Sequence, residues 1–247
     1  MTRYRALLAY DGSAYQGFQR QPDEIPTIQL ALEQAIERVA TKPISVMFAG
    51  RTDTGVHASG QVIAFDIAWR HSDFDLLKAI NAVLPNHIAL LNIEPAEGFH
   101  PRFDARARWY QYTLWNAPVR HPLYAHYAWH IYGDLDTEAM AACASLLIGE
   151  HDFATFGHPP KGDNTVRNLF QSVWSIETVE HGHFFRYDVE GTAFLHHMVR
   201  RMVGMMVSVG LQHISCQDFE KAFRQADIRY TGHIAPPHAL VMKAVRY

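Results

Sequence analysis

Cysteine is scarce: Cys143 and Cys216 are the only two in 247 residues. A structural zinc cluster needs more thiols than that. Both fall in predicted helices, far apart in sequence, and read as reduced packing residues rather than a disulfide. No apolar run reaches the about 18 residues of a bilayer-spanning helix, so no membrane segment is expected. A cationic leader with a small-residue cleavage site is missing too. The opening "MTRYRALLAYDG" reads as a strand, and a cytoplasmic protein is expected. There is no basic excess either. The formal net charge is −3, so any nucleic-acid site must be a local patch. Lysine is rare, 5 against 17 arginines, and arginine is the planar fork that suits phosphates. Sixteen histidines can add positive charge beside a polyanion. At 48% hydrophobic and 19% charged residues, the chain can bury a core, which excludes wholesale disorder. Its length suits one large domain or two ordinary ones.

The order of elements reads β-α-β-β-α-β. "RYRALLAYDG" is a strand ended by Asp-Gly. "TIQLALEQAIERVA" is a helix with Thr27 as N-cap and an apolar stripe of Ile28, Leu32, Ala35, Ile36 and Val39. "ISVMFAG" and "QVIAFDI" are strands. "SDFDLLKAINAVL" is a helix with Ser72 and Asp75 resembling a capping box and Pro85 marking its stop. "HIALLNIE" is the last strand of this split βαβ plait. From about residue 105 a similar programme restarts. "ARARWYQYTLWN" and "HYAWHI" are strands, and "TEAMAACASLLIG" is a helix behind Asp136, closed by Gly149. "VRNLFQSVWSIETV" and "HFFRYDVEG" pair through "EHGH". "TAFLHHMVRRMVGMMVSVG" is a long helix, "SCQDFEKAFRQA" a shorter one capped by Ser215 and Asp218, and "ALVMKAVRY" a closing strand. The fold class expected is α+β: two tandem ferredoxin-like (βαββαβ) halves, with mainly antiparallel sheets and a central cleft. The halves are 1–104, carrying Asp53, and 105–247, carrying Tyr110 and Arg200.

Three segments carry chemistry. "AGRTDTGVHASGQV" joins two apolar runs. It lacks the terminal Gly-Lys-Ser/Thr of a phosphate-cradling P-loop. It reads either as a polar turn with glycines at positive φ, or as a strand-end platform for Asp53. In the second reading Thr52 and Thr54 orient the carboxylate, and Arg51 points the other way, toward a ligand. In "FHPRFDARARWYQYTLWN", alternation puts Arg106, Arg108, Tyr110 and Tyr112 on one strand face and Trp109 and Trp115 on the other. That face reads either as arginine stems covering aromatic surface or as a nucleic-acid surface of cations and stacking rings; His100 and Arg102 upstream favour phosphate. In "TAFLHHMVRRMVG", His196 with Arg200, and His197 with Arg201, share helical faces. A buried guanidinium needs an acidic partner, whose removal costs roughly 3–5 kcal/mol. Asp53, Asp188 and Glu190 are the candidates. Metal ligation by the His pair is disfavoured, because adjacent helix positions diverge by about 100°.

With "YDGSAYQGFQRQ", these segments resemble the tRNA pseudouridine synthase A family, from about residue 4 to the last strand. The resemblance implies isomerisation of uridine to pseudouridine in the anticodon arm of tRNA, at positions about 38 to 40, without cofactor or metal. It implies a homodimer, with one tRNA contacting both subunits. Asp53 falls on the catalytic aspartate, and Arg51 on an arginine that helps extrude the target nucleotide. Tyr110 falls on the tyrosine against the target base, and Arg200 on the basic residue that pairs with the aspartate. Thr52, Arg106, Arg108, His196 and His197 are expected substrate contacts, with Leu240 at the apolar edge of the pocket. Two positions depart from the family pattern: Thr54, where alanine is usual, and Ala239, where glycine is common. A base in a helical stem must be flipped out to react, so Arg51 and Asp53 would divide the work of holding opened RNA and attacking it. Two rival readings are a non-catalytic RNA-binding module and a metal-dependent hydrolase using His196 and His197.

Overall fold

The computed structural model describes residues 1–22 and 25–247. The chain divides into two compact units. One is Met1–Arg106 with Val241–Tyr247, the other Ala107–Leu240. Both mix helices with mainly antiparallel sheet, the α+β class expected.

The first unit holds β1 (Thr2–Tyr10), α1 (Ile28–Ala40), β2 (Met47–Phe48), β3 (His57–Ile67), α2 (Asp73–Val83) and β4 (Ile88–Pro95). β1 runs antiparallel to both β3 and β4, and β2 runs antiparallel to β3. The order β4-β1-β3-β2 is that of a βαββαβ plait. Helix boundaries follow local chemistry. Thr27 accepts from the Leu30 amide to start α1, and Ile28, Leu32, Ala35 and Ile36 are its buried face. Ser72 accepts from the Asp75 amide to start α2, which ends just before Pro85.

β2 is far shorter than the apolar run "ISVMFAG" suggests. The backbone of Val46 is bonded to α1 rather than to the sheet: its amide donates to Glu33 Oε1 (3.1 Å) and its carbonyl accepts from Gln29 Nε2 (3.1 Å). β3 is longer than expected at its N-terminal end, because a strand from much later in the chain supports it. Within this unit, Val241 and Met242 pair in parallel with His57 and Ala58. The closing strand therefore belongs with the first unit, not with the second as the order of elements suggests.

The second unit contains β5 (Ala107–Asn116), β6 (Trp129–Ile131), α3 (Thr137–Ser145), β7 (Gly149–Asp152), β8 (Val166–Val179), β9 (Gly182–Gly191), α4 (Met198–Gly210) and α5 (Cys216–Arg224). β10 (Leu240–Arg246) begins at this unit's last residue and continues into the first unit. The sheet order within the unit is β6-β5-β9-β8-β7, parallel at β6–β5 and antiparallel elsewhere. β5-α3-β8-β9-α4 repeats the plait as far as its second helix, but the unit by itself does not supply the fourth strand. β7, "GEHD", has no apolar alternation and was not foreseen. Gly149 (φ 103°) opens this strand rather than closing α3, which ends at Ser145.

α4 is buried on most sides, as its apolar composition requires. It starts at Met198, six residues later than the run "TAFLHHMVRR" suggests. The His196 amide donates to the His158 carbonyl (3.0 Å) instead of to a helical turn, and His197 is left-handed at φ 62°. Both histidines therefore precede the helix. Their predicted helical faces do not exist, and neither does the divergence used to argue against metal. Among the described residues no helix is long and apolar enough to cross a membrane.

Candidate active site

The Asp53 loop lies wholly in the first unit. The β3 ladder holds the chain as far as Gly50: the Ala49 amide donates to Val62 O (2.9 Å), and the buried Gln61 side chain donates to Gly50 O (2.7 Å). Thr52 then turns inward. It is buried, its hydroxyl meets Tyr10 Oη at 2.7 Å, and its carbonyl accepts from the Phe18 amide (3.1 Å). The Val56 amide donates to Asp53 O (3.1 Å), closing a tight turn through Gly55, whose φ is 76°. Between these fixed points Asp53 is half-buried, while Arg51 and Thr54 are exposed.

The threonines were expected to orient the carboxylate. Instead the Thr52 hydroxyl ties the loop to β1, and the Thr54 hydroxyl lies 3.5 Å from Gln16 Oε1.

The segment "YDGSAYQGF" packs beneath this loop, which gives its glycines a physical reason. A Cβ on Gly12 would lie 2.1 Å from the Val56 carbonyl oxygen, so no other residue fits there without moving the loop. The Gly12 amide donates to Nδ1 of buried His57 (3.1 Å), and Asp11 Oδ1 is also 3.1 Å from that nitrogen. One nitrogen cannot serve both at once. The first contact uses the Nδ1 lone pair and the second needs a proton on Nδ1, so the two belong to different proton arrangements of the ring. Sequence reasoning had not singled out Tyr10, Gly12 or His57.

The 99–104 segment of the same unit is a self-braced turn. His100 Nδ1 accepts from the amides of Arg102 (3.2 Å) and Phe103 (3.3 Å), and Asp104 accepts from the His100 amide (2.9 Å). It presents Arg102 and Phe103 to solvent. Arg106 is exposed, with its amide bonded to Arg246 O (2.8 Å).

In the second unit the even-numbered face of β5 carries the other expected residues. Arg108 Nη1 donates to Thr192 O (2.8 Å). Tyr110 is buried, with its ring edge-on to Phe194 at 5.1 Å. Tyr112, grouped with these as a stacking ring, is instead core. It is fully buried, and its hydroxyl donates to Pro236 O (2.9 Å). Burial pushes the Tyr112 hydroxyl well above its ordinary pKa, and the positive charge of Arg200 opposes this. Arg200 reaches the same stretch of chain that receives the Tyr112 hydroxyl. It is half-buried, and its Nε donates to Ala235 O (2.8 Å). The chain around Ala235 crosses α4 closely: a Cβ on Gly204 would lie 1.8 Å from His233 O. Leu240 is buried at the start of β10.

The local carboxylates named as partners for Arg200 lie on the sheet face opposite Tyr112. Asp188 pairs across the strands with Gln111, and Glu190 with Trp109, which places both on the odd-numbered face. Asp188 accepts from Trp109 Nε1 (2.8 Å) and Gln111 Nε2 (3.0 Å) there. His196 and His197, in the turn before α4, stack with ring centroids 3.7 Å apart. Within this unit, Tyr110, Arg108, Arg200 and the two histidines thus gather along the 192–197 segment and the start of α4. Asp53, Arg51, Thr52 and Arg106 belong to the first unit.

A family model described as tRNA pseudouridine synthase matches residues 6–104 and 143–247. Among curated relatives, a tRNA pseudouridine synthase A of Methylacidiphilum infernorum is 41% identical over 246 residues, covering 99% of this chain and 95% of that protein. One from Neisseria gonorrhoeae is 38% identical, covering 99% and 92%. One from Pseudothermotoga lettingae is 36% identical over the whole of both chains.

Proposed function

The chain belongs to the tRNA pseudouridine synthase family and is an RNA pseudouridine synthase, and we propose that it acts on uridines of the anticodon arm, at positions about 38 to 40, with Asp53 as its nucleophile. The reaction breaks the N1–C1′ bond, turns the uracil, rejoins it through C5 and releases the C5 proton. No electrons are exchanged, so a charged carboxylate is sufficient as the reacting group.

One observation carries the assignment. Asp53 stands on a loop locked by the Thr52–Tyr10 hydroxyl pair and by the Phe18 and Val56 amides, yet Asp53 itself is only partly buried. A rigidly held, accessible carboxylate is what nucleophilic attack requires. Arg51, exposed two residues away, would hold the opened RNA. Arg200 would keep Asp53 charged in a drying pocket. Tyr110 would present a ring to the flipped base. Arg106, Arg108, His196 and His197 would serve the tRNA backbone, Leu240 would edge the pocket, and Thr52 would position the loop. The reading includes a cytoplasmic homodimer that needs neither metal nor cofactor.

Tritium release from tRNA labelled at uridine C5 tests this directly. Asp53→Asn should bind tRNA with unchanged affinity and release no tritium. Release near the wild-type rate would sink the assignment. Mapping of modified sites in the wild-type reaction tests the anticodon-arm position.

A further inference from the structure

The two thiols that the sequence separates lie side by side in the second unit. Cys143 sits on the buried face of α3 and Cys216 opens α5, and their sulfurs are 2.9 Å apart. Forming a bond of about 2.05 Å requires them to close by less than about 1 Å. Both cysteines are free.

Their surroundings differ. Cys143 is fully buried, and burial together with its hydrogen bond to Cys216 pushes its thiol far up. Cys216 is partly exposed and occupies the first position of α5, directly after the Ser215 N-cap. Neither residue belongs to the proposed site.

We propose that Cys143 and Cys216 are a site of reversible oxidative modification, at which hydrogen peroxide joins them in a disulfide linking α3 to α5. The Cys216 sulfur attacks one peroxide oxygen, the O–O bond breaks, and the departing hydroxide takes the Cys216 proton, giving Cys216 sulfenic acid and one water. The Cys143 sulfur then attacks the Cys216 sulfur. The S–O bond breaks, and the departing hydroxide leaves as water with the Cys143 proton. In sum, two thiols and one peroxide give one disulfide and two waters. Each sulfur loses one electron, and the peroxide gains two. A small dithiol reverses the step by exchange.

The test uses the whole chain, reduced, freed of reductant and treated with stoichiometric hydrogen peroxide, then alkylated under denaturing conditions. Alkylatable thiols should fall from two to none. The intact mass should drop by about 2 Da, the two hydrogens lost on disulfide formation. A dithiothreitol-sensitive peptide pair containing residues 143 and 216 should appear. The cross-link closes a long loop, so the second unit should melt roughly 5–10 °C higher. Cys143→Ser should yield a dimedone-trappable sulfenic acid on Cys216, and Cys216→Ser should leave the buried Cys143 unmodified. Two thiols surviving in the wild type, or oxygen adducts on Cys216 without the linked peptide, would overturn the proposal.

Discussion

Replacing Thr52 with valine probes how the Asp53 loop is held. Valine keeps the shape and removes the hydroxyl that meets Tyr10 at 2.7 Å. Thr52 and Tyr10 retain only 7% and 5% exposure, so water cannot replace the lost contact. The Tyr10 hydroxyl is left without its Thr52 partner, at a cost of about 1–3 kcal/mol. Tyr10→Phe removes the same contact from the other side at a similar cost. The double variant takes away both hydroxyls and should cost little more than the worse single one, which gives a coupling of about 1–2 kcal/mol. A local readout is available. The Phe18 amide donates to Thr52 and the Val56 amide to Asp53. Their hydrogen-exchange protection should fall roughly 5- to 150-fold in either single variant, while amides of β4 keep theirs. In tritium release, kcat should fall with KM for tRNA within about twofold of wild type, because the proposed nucleophile, Asp53, is displaced and the proposed RNA contacts are not. Strict additivity in the cycle, or unchanged protection at Phe18 and Val56, would refute the claim that this hydroxyl pair positions the loop.

Gly12→Ala should lower both yield and kcat, since its methyl must displace the Val56 carbonyl; wild-type tritium release would show that the loop has slack not evident in the structure. Glu33→Ala removes the acceptor of the buried Val46 amide and should destabilise the first unit by about 1–3 kcal/mol in urea unfolding. The hydrogen bond from Arg3 holds the Asp66 carboxyl below its usual range, with burial opposing and charge attraction adding to it. A depressed folded value means the contribution is present above the ordinary carboxylate pKa and is lost as pH falls below it. Both side chains are partly solvated, so it should be no more than about 1 kcal/mol, and Asp66→Asn should flatten stability against pH in that acid range. Exhaustive chelation should leave tritium release unchanged; a loss restored by one particular metal would favour a metal-dependent mechanism at His196 and His197.

Local chemistry made much of the fold legible. Thr27, Ser72 and Asp136 cap where their side chains say they should, and the Ser215–Asp218 pair forms a full capping box. The failures are all long-range. A run such as "ISVMFAG" has strand composition, but Gln29 and Glu33 of α1 bind the backbone that would extend β2. "TAFLHHMVRR" has helical composition, but His158 captures the amide of His196. No periodicity announces either event. At the site, the segments "AGRTDTGVHASGQV" and "YDGSAYQGFQRQ" were recognisable as motifs. That the second supports the first through Gly12 and Tyr10 became visible only when the chain was folded. Spacing also could not tell that Tyr112 is core while Tyr110, two residues earlier on the same face, adjoins Phe194. The nearness of Cys143 and Cys216 arises from the packing of α3 on α5, which leaves no trace in sequence separation.

The return of Val241–Tyr247 to the first unit has a consequence for biosynthesis. β3 emerges from the ribosome long before the strand that lies parallel to its N-terminal end. The second unit, continuous in sequence, can close while the first still waits for this partner, and such distant pairing is slow. A nascent chain halted after α5 should therefore protect the amides of α4 from exchange while those at His57 and Ala58 stay labile. The unit bearing Asp53 would be the last to complete its sheet, so in a stalled product the start of β3, which follows the Asp53 loop, would stay frayed.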